Sequence, residues 1–271
     1  MQGVRRMVDE ARDIHGIFDS HCHYDDKAFD GDRSELLNRL LSSDSTVEYM
    51  MHACTDLNSA EFGIKTSERY KNYYTSVGIH PECIYDGIPS GYELEIERFA
   101  KYEKVRAIGE IGLDYHYDGY DRAAQLRLFE SQLEIAKSLD LPVIMHCRDA
   151  MGDFTELMRK HRPKGVVHCF SGSAESAIEL QRLGLYIGFT GALTFKNSKK
   201  AKNAFMNVQS DKLLFETDCP YMAPVPFRGK RCSSELIAYV ALEAQCLSGV
   251  DAQQLVDTTS QNAKRLFSID K

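Results

Sequence analysis

The chain has 271 residues, of which 43% are hydrophobic and 27% are charged, and its formal net charge is −7. This length and composition allow a full hydrophobic core, whereas the negative charge argues against a protein that coats nucleic acid through its general surface. Apolar runs stay well short of the roughly 18 residues that a transmembrane helix needs. The 8 cysteines include no C-x-x-C pair, which is typical of reduced thiols. We therefore expect a cytoplasmic protein with no membrane association and no obligate protein partner.

No stretch of the sequence has the composition of a linker. The 7 prolines and 18 glycines are scattered, and neither a repeat nor a low-complexity block interrupts the chain. We expect residues 1–271 to form a single domain, in which residues 1–16 are an N-terminal extension.

Apolar runs of strand length recur along the chain, and they predict eight strands over residues 17–22, 47–53, 73–79, 105–111, 141–146, 165–170, 185–189 and 212–217. Between them lie helical patterns, such as the stripe formed by Leu126, Phe129 and Leu133. Residues 252–267 read as one further helix. Eight strands alternating with helices over about 250 residues predict an α/β fold, a single (β/α)8 TIM barrel.

Potential metal ligands stand at the carboxyl ends of five predicted strands. In such a barrel these ends meet around one cavity, so the ligands should converge. They are four histidines and two carboxylates: His21, His23, Glu110, His146, His168 and Asp218. One histidine at a strand end is usually a hydrogen-bonded core residue, but five strand ends of this kind favour a metal site. The set is large enough for two divalent ions with positions left for water and substrate.

The neighbours of these residues also fit a metal site. Each of four cysteines follows a proposed ligand by one position and should face the surrounding helices as a small buried hydrophobe: Cys22, Cys147, Cys169 and Cys219. A zinc–thiolate site is the alternative, although no two of them have the close spacing it needs. Asp19 and Glu216 each precede a ligand by two positions, and we expect them to orient the ligands.

Seven short motifs follow one another: DSHCH at 19–23, GIHP at 78–81, GEIGLDY at 109–115, LPVIMHCRDA at 141–150, VHCFSG at 167–172, ETDCPY at 216–221 and NAKRLF at 262–267. In this order, the sequence from about Ile17 onward resembles the TatD-type metal-dependent deoxyribonucleases of the amidohydrolase-like barrel superfamily. The resemblance implies a two-metal hydrolase acting on DNA, with the six residues above at the ligand positions of the family.

Two departures from the family pattern bear on substrate preference. Residues 228–231 (RGKR) are kept, but Cys232 and Ser234 stand where the family commonly has asparagine and proline. Glu82 stands where a second histidine is frequent. Neither change touches a proposed metal ligand.

The ligand set suggests a division of roles. Glu110 would bridge the ions, His21, His23 and Asp218 would complete one site, and His146 and His168 the other. Asp218 is the expected proton acceptor, with a role as ligand alone as the alternative. The expected substrate-binding residues are His80, Arg148, Arg228 and Arg231, of which the arginines would hold phosphates. Zinc, manganese and magnesium all stay open, although imidazole ligands favour a transition metal.

Three functions remain compatible with the sequence. The first is a metal-dependent deoxyribonuclease, an exonuclease acting on single strands or ends, since a deep cavity accepts a chain end more readily than the middle of a duplex. The second is a hydrolase of a small ester, lactone, amide or aminoacyl bond that uses the same two-metal site. The third is a scaffold on an inactive barrel, which the presence of all six ligand types disfavours.

Overall fold

The computed structural model describes residues 9–269, within which eight parallel strands form one sheet in the order β1 to β8. They are β1 Ile17–Cys22, β2 Val47–His52, β3 Tyr73–Val77, β4 Val105–Asp114, β5 Val143–Arg148, β6 Gly165–Val167, β7 Tyr186–Phe189 and β8 Leu213–Phe215. A backbone bridge between Cys22 and Cys219 joins the two edges. The sheet is therefore a nearly closed barrel, which confirms the predicted fold class.

An α-helix follows each strand, and a further helix ends the described chain. The helices are α1 Arg33–Leu40, α2 Leu57–Arg69, α3 Tyr92–Phe99, α4 Arg122–Ser138, α5 Met151–His161, α6 Ala174–Arg182, α7 Lys199–Phe205, α8 Ile237–Ser248 and α9 Ala252–Leu266. Several begin at side chains that accept from a free backbone amide, as Asp56 does from Ser59 before α2 and Asp121 from Ala124 before α4. Within residues 9–269, no helix combines the length and hydropathy that crossing a bilayer needs.

The predicted strands are confirmed in number and order, but β2, β3, β6 and β8 end one to three residues earlier than expected. β6 stops at Val167 and β8 at Phe215, so that His168 and Asp218 lie in the segments that follow. β4 is longer than predicted and continues to Asp114.

Helix α9 covers the end of the barrel at which the strands begin. Its Ala263 and Leu266, with Phe267 after it, pack against inward-facing residues such as Phe18 and Leu214. The Asn262 side chain donates to the carbonyl oxygen of Leu213, at the start of β8 (2.9 Å). The mouth of the barrel therefore lies at the carboxyl ends of the strands.

The predicted N-terminal extension, residues 1–16, falls partly outside the described residues, which begin at residue 9. Within the described part, Ala11 and Ile14 are buried in the main core. The backbone amide of His15 donates to the side chain of Gln253 (2.9 Å), whose amide donates back to the His15 carbonyl oxygen (2.9 Å). This segment therefore packs on the barrel next to α9.

Buried Asp19 ties β1 to the chain after β8. Its Oδ1 accepts from the Thr217 backbone amide (3.0 Å), and its Oδ2 accepts from the hydroxyls of Thr217 (2.6 Å) and Ser234 (2.7 Å). Burial raises the pKa of Asp19 to about 6, while the bonds from Thr217 and Ser234 oppose that rise. Asp19 was predicted to orient metal ligands. Its Oδ1 also accepts from the backbone amide of His21 (3.3 Å), and its bonds with Thr217 and Ser234 close the barrel beneath the ligands.

Replacing Ser234 with alanine tests this closure. The substitution should lower the free energy of unfolding by about 1–3 kcal/mol, because a buried carboxylate oxygen loses one of two donors. Urea denaturation at neutral pH would measure the change. Ser43→Ala is the matched control, since the Ser43 hydroxyl is exposed and bonds only the adjacent Asp44; an equal shift in both variants would contradict the role of Ser234.

Candidate metal centre

His21 in β1 and His23 just after it present the same ring atom to one point. The Nε2 atoms of His21 and His23 lie 3.0 Å apart. Nδ1 of His23 lies 2.8 Å from the carbonyl oxygen of Ala53. Since a carbonyl oxygen only accepts, Nδ1 of His23 carries a proton, and Nε2 of the neutral ring keeps a lone pair. Two ring nitrogens this close need a cation or a proton between them.

The Glu110 carboxylate stands between two groups of imidazoles. Its Oε2 is 3.3 Å from Nε2 of His21 and 3.7 Å from Nε2 of His23. Its Oε1 is 2.7 Å from Nε2 of His168 and 3.0 Å from Nδ1 of His146. Each oxygen therefore faces a different pair of rings, which is the arrangement that a bridging carboxylate needs.

Electrostatics keep this carboxylate ionised. Burial alone would raise the pKa of Glu110, but the rings of His168, His21 and His80 outweigh it and hold the pKa well below its usual range. Both oxygens are thus available as ligands at neutral pH.

Asp218 completes the group around His21 and His23. Its Oδ1 is 3.2 Å from Nε2 of His23 and 3.8 Å from Nε2 of His21. Its backbone has a φ of 60°, a conformation that non-glycine residues rarely adopt, and its amide donates to the His21 carbonyl oxygen (2.9 Å). Such local strain is common where a side chain must be aimed at a site. The carboxylate also reaches the cavity surface.

His146 is fixed by a carboxylate that sequence reasoning left out of the site. Its Nε2 lies 2.9 Å from Oδ2 of Asp114, which leaves Nδ1 facing Glu110. A carboxylate on the far nitrogen orients a ligating imidazole and raises its basicity. Burial would lower the pKa of His146, but the bonds with Asp114 and Glu110 raise it to about 9. The sequence could have indicated this role, since Asp114 stands four positions after Glu110 and an even spacing on one strand places both side chains on the same face.

Glu216 lies behind His168, where the sequence predicts an orienting carboxylate. Its Oε1 accepts from the Cys169 backbone amide and is 3.7 Å from Nδ1 of His168. Gly188 makes room for the carboxylate, because a Cβ there would lie 2.5 Å from Oε2. Burial raises the pKa of Glu216 to about 7 even though nearby His168 lowers it. The contact to His168 is longer than a hydrogen bond.

His80 lies deeper than the rim position expected from the sequence. Its Nε2 is 3.6 Å from Oε1 of Glu110, and its ring meets the His146 ring edge-on with centroids 4.7 Å apart. The structure thus places this predicted substrate residue within the imidazole cluster.

Three groups of side chains could each hold an ion, and the donor atoms within a group lie within 4.8 Å of one another. They are His21, His23 and Asp218; His21, His168 and Glu216; and His80, Glu110 and His146. Imidazole and carboxylate donors in this mixture suit divalent transition metals. The facing Nε2 atoms of His21 and His23 and the divided contacts of Glu110 fit such ions.

A cavity of about 650 Å³ opens above the cluster and is lined by His23, His80, Glu110, His146, His168 and Asp218, among others. This volume is typical of a pocket for a small molecule or a chain end.

Comparison with known proteins identifies the family. The model of the TatD-related DNases matches residues 18–268. The chain belongs to this family. Like its relatives, it is a metal-dependent hydrolase.

Three TatD-family relatives illustrate the match. The chain is 36% identical over 257 residues to the uncharacterized metal-dependent hydrolase YabD of Bacillus subtilis, covering 94% of this chain and 100% of the relative. It is 33% identical over 263 residues to the 3′-5′ ssDNA/RNA exonuclease TatD of Citrobacter koseri, covering 93% and 99%. The crystal structure of YjjV, a TatD homologue from Escherichia coli K12, matches with a TM-score of 0.86 at 29% identity, covering 96% of this chain and 100% of that one.

The three arginines predicted to bind phosphate are differently placed. Arg148 lines the TatD-family cavity. Arg228 stacks on Phe195, 4.3 Å from the ring centroid. Arg231 donates to both oxygens of Asp32 (2.7 and 2.6 Å) and so is already paired. The structure therefore brings only Arg148 to the cluster, and phosphate binding by the other two stays a prediction.

The four cysteines that follow proposed ligands do not behave alike. Cys22 and Cys219 are buried, as expected. Cys147 and Cys169 are partly exposed and line a second cavity beside the cluster, which differs from the prediction that they face the helices. For Cys169 the reason is that β6 has already ended and the residue has a φ of 43°, so the alternation of a strand no longer applies.

Proposed function

We propose that this TatD-family hydrolase is a two-metal exonuclease that removes nucleotides from the 3′ end of single-stranded DNA. The observation that carries the proposal is the position of Glu110, whose two oxygens face separate sets of imidazoles. The names of the Citrobacter koseri and Salmonella typhimurium relatives, both 3′-5′ ssDNA/RNA exonucleases, support the substrate and the direction.

The residues divide into two ligand sets under this proposal. His21, His23 and Asp218 would hold one ion, His146 and His168 would hold the other, and Glu110 would serve both. When bound, the two ions supply an activated water and neutralise the charge that develops on the phosphoryl oxygens. Four imidazoles favour zinc or manganese over magnesium.

Asp218 is the proton carrier in the proposed reaction. Its carboxylate reaches the cavity beside the ligand atoms, where it can accept a proton from the attacking water. The same carboxyl group then gives the proton to the leaving 3′ oxygen. Asp114 and Ala53 act through the histidines they contact, because they hold His146 and His23 with the ligating nitrogen toward the cluster.

Arg148 supports a phosphodiester as the substrate. Its guanidinium lies at the cavity wall, 5.4 Å from the centroid of the exposed Tyr117 ring and 3.9 Å from Asp114. A guanidinium can donate to two phosphate oxygens, and an exposed ring can stack on a base.

Replacing Arg148 with alanine should reduce kcat/KM for a single-stranded oligonucleotide about tenfold, because a charged hydrogen bond to phosphate is lost. The loss should be smaller for bis(p-nitrophenyl) phosphate, which has no neighbouring phosphates. Steady-state kinetics on both substrates measure the effect. Arg127→Ala, an equal change of charge at an exposed position of α4, is the control. Equal losses on the two substrates would refute the phosphate contact.

The proposed function is tested by elemental analysis of the purified chain and by gel assays of 5′-labelled oligonucleotides. Each metal is returned in turn to the metal-free protein. We expect single strands to give a ladder of 5′-labelled products shortened from the 3′ end, and blunt duplexes to be cleaved more weakly. Hydrolysis of small esters or lactones with intact oligonucleotides would overturn the proposal and favour the second function that the sequence left open.

A further inference from the structure

A second cavity, of about 440 Å³, adjoins the first and shares His146, Arg148, His168 and Asp218 with it. Most other lining residues of the first cavity lie in the segments after β1 to β4, and Tyr221 follows β8. The second extends over those after β5 to β8 and includes residues of the β7–α7 connection and of α7. The metal cluster therefore lies between two distinct halves of the barrel mouth.

The two halves differ in charge. Apart from the cluster residues and Asp114, the first cavity is lined by five carboxylates: Asp25, Asp26, Asp56, Glu82 and Asp86. Among the lining residues of the second cavity, the only carboxylate is the shared Asp218, and Lys200 joins Arg148 as a cation. A chain of phosphates is therefore repelled on the first side and attracted on the second.

The walls of the second cavity are apolar. Phe170, Phe189, Leu193 and Met222 line it, together with the thiol-bearing Cys169. The volume and the aromatic residues suit a planar heterocycle such as a nucleobase, which gains from stacking and from loss of contact with water.

The charges also indicate which nucleotide occupies which side. When a phosphodiester at a 3′ end lies on the cluster, the nucleoside beyond it ends in a hydroxyl and carries no further charge. The strand on the other side carries one phosphate for each nucleotide. The neutral end thus fits the acidic half, and the strand fits the half that holds Lys200.

We propose that the second cavity binds the base of the nucleotide on the 5′ side of the scissile phosphate, with Lys200 near the next phosphate of the strand. This inference rests on the proposed function for the position of the scissile phosphate. It adds a base-binding subsite and assigns the direction in which the strand leaves the centre.

Nucleotide binding tests the subsite without relying on catalysis. The chain contains no tryptophan, so Met222→Trp places a single fluorescent reporter at the second cavity. Met206→Trp, at an exposed position after α7, is the matched control. In the zinc-loaded protein, deoxyadenosine 3′-monophosphate, whose phosphate and base span the cluster and the cavity, should quench the first reporter and not the second. Deoxyadenosine 5′-monophosphate and inorganic phosphate should leave the first reporter unchanged.

Either of two results overturns the inference: equal quenching by the 5′-monophosphate, or no quenching by the 3′-monophosphate. If Met222→Trp does not fold, the wild-type chain gives the same information through alkylation of Cys169, measured by peptide mass spectrometry. The 3′-monophosphate should slow that reaction and leave exposed Cys246 unaffected. Equal alkylation with and without the nucleotide counts against the subsite.

Lys200→Gln tests the direction of the strand. Relative to the unchanged protein, the variant's KM should rise about fivefold more for a trinucleotide than for a dinucleotide. The reason is that only the trinucleotide has a second phosphate. Lys199→Gln, at the preceding exposed position of α7, is the control, and an equal rise for both substrates refutes the assignment.

The two proposals can fail separately. Quenching by the 3′-monophosphate without cleavage of any oligonucleotide would reject the exonuclease and retain the subsite. Cleavage of oligonucleotides without quenching would reject the subsite and retain the exonuclease.

Discussion

Glu110→Ala should release both metal ions and reduce hydrolysis of every substrate by about a thousandfold or more, equivalent to roughly 4 kcal/mol of barrier. The reason is that its two oxygens serve different ligand sets: Oε2 faces His21 and His23, and Oε1 faces His146 and His168. Loss of a ligand that belonged to one ion alone would leave the other ion in place. Loss of a bridging carboxylate instead removes a ligand from both ions.

Elemental analysis of the dialysed variant, followed by rate measurements with zinc or manganese added back, checks this result. Glu97→Ala is the control, because it removes the same charge from an exposed position on α3. A thermal melt shows whether the barrel survives. A folded Glu110→Ala protein that retains two ions would contradict the bridging position, whereas one that retains a single ion would assign Glu110 to one site only.

Much of the fold could be predicted because two simple rules act together. Alternation along a strand and the convergence of carboxyl ends in a parallel barrel place His21, His146 and Asp218 together, although they lie far apart in the chain. The tail helix was predicted as 252–267 and is observed as Ala252–Leu266. Its apolar stripe is a local property that a single sequence contains.

The remaining features depend on partners that no local pattern specifies. The ring nitrogen that His23 turns toward the cluster is set by the carbonyl oxygen of Ala53, just after β2. Arg231 was expected to hold phosphate, yet it pairs with Asp32, 199 positions earlier in the chain. Such choices follow from packing between distant segments, so they become visible only when the barrel is assembled.

Asp218→Asn should reduce kcat about a hundredfold to a thousandfold on oligonucleotides, because asparagine keeps the shape of the side chain but cannot take up the proton of the attacking water. The oxygen nearest His23, at 3.2 Å, has a counterpart in the asparagine carbonyl, so weakened metal binding can be restored by excess metal. Rates are therefore compared at saturating metal, with Asn203→Asp on the exterior helix α7 as a control for the exchange of these two side chains.

The choice of leaving group separates the two possible roles of Asp218. An oligonucleotide leaves as an alkoxide that needs a proton, whereas p-nitrophenolate leaves without one. If Asp218 both accepts and returns the proton, the Asp218→Asn loss should be about tenfold larger for the oligonucleotide than for thymidine 5′-(p-nitrophenyl phosphate). If Asp218 is a ligand alone, the two losses should be equal and should vanish together as metal is added. The second pattern would remove Asp218 from the proton pathway and leave its place among the ligands intact.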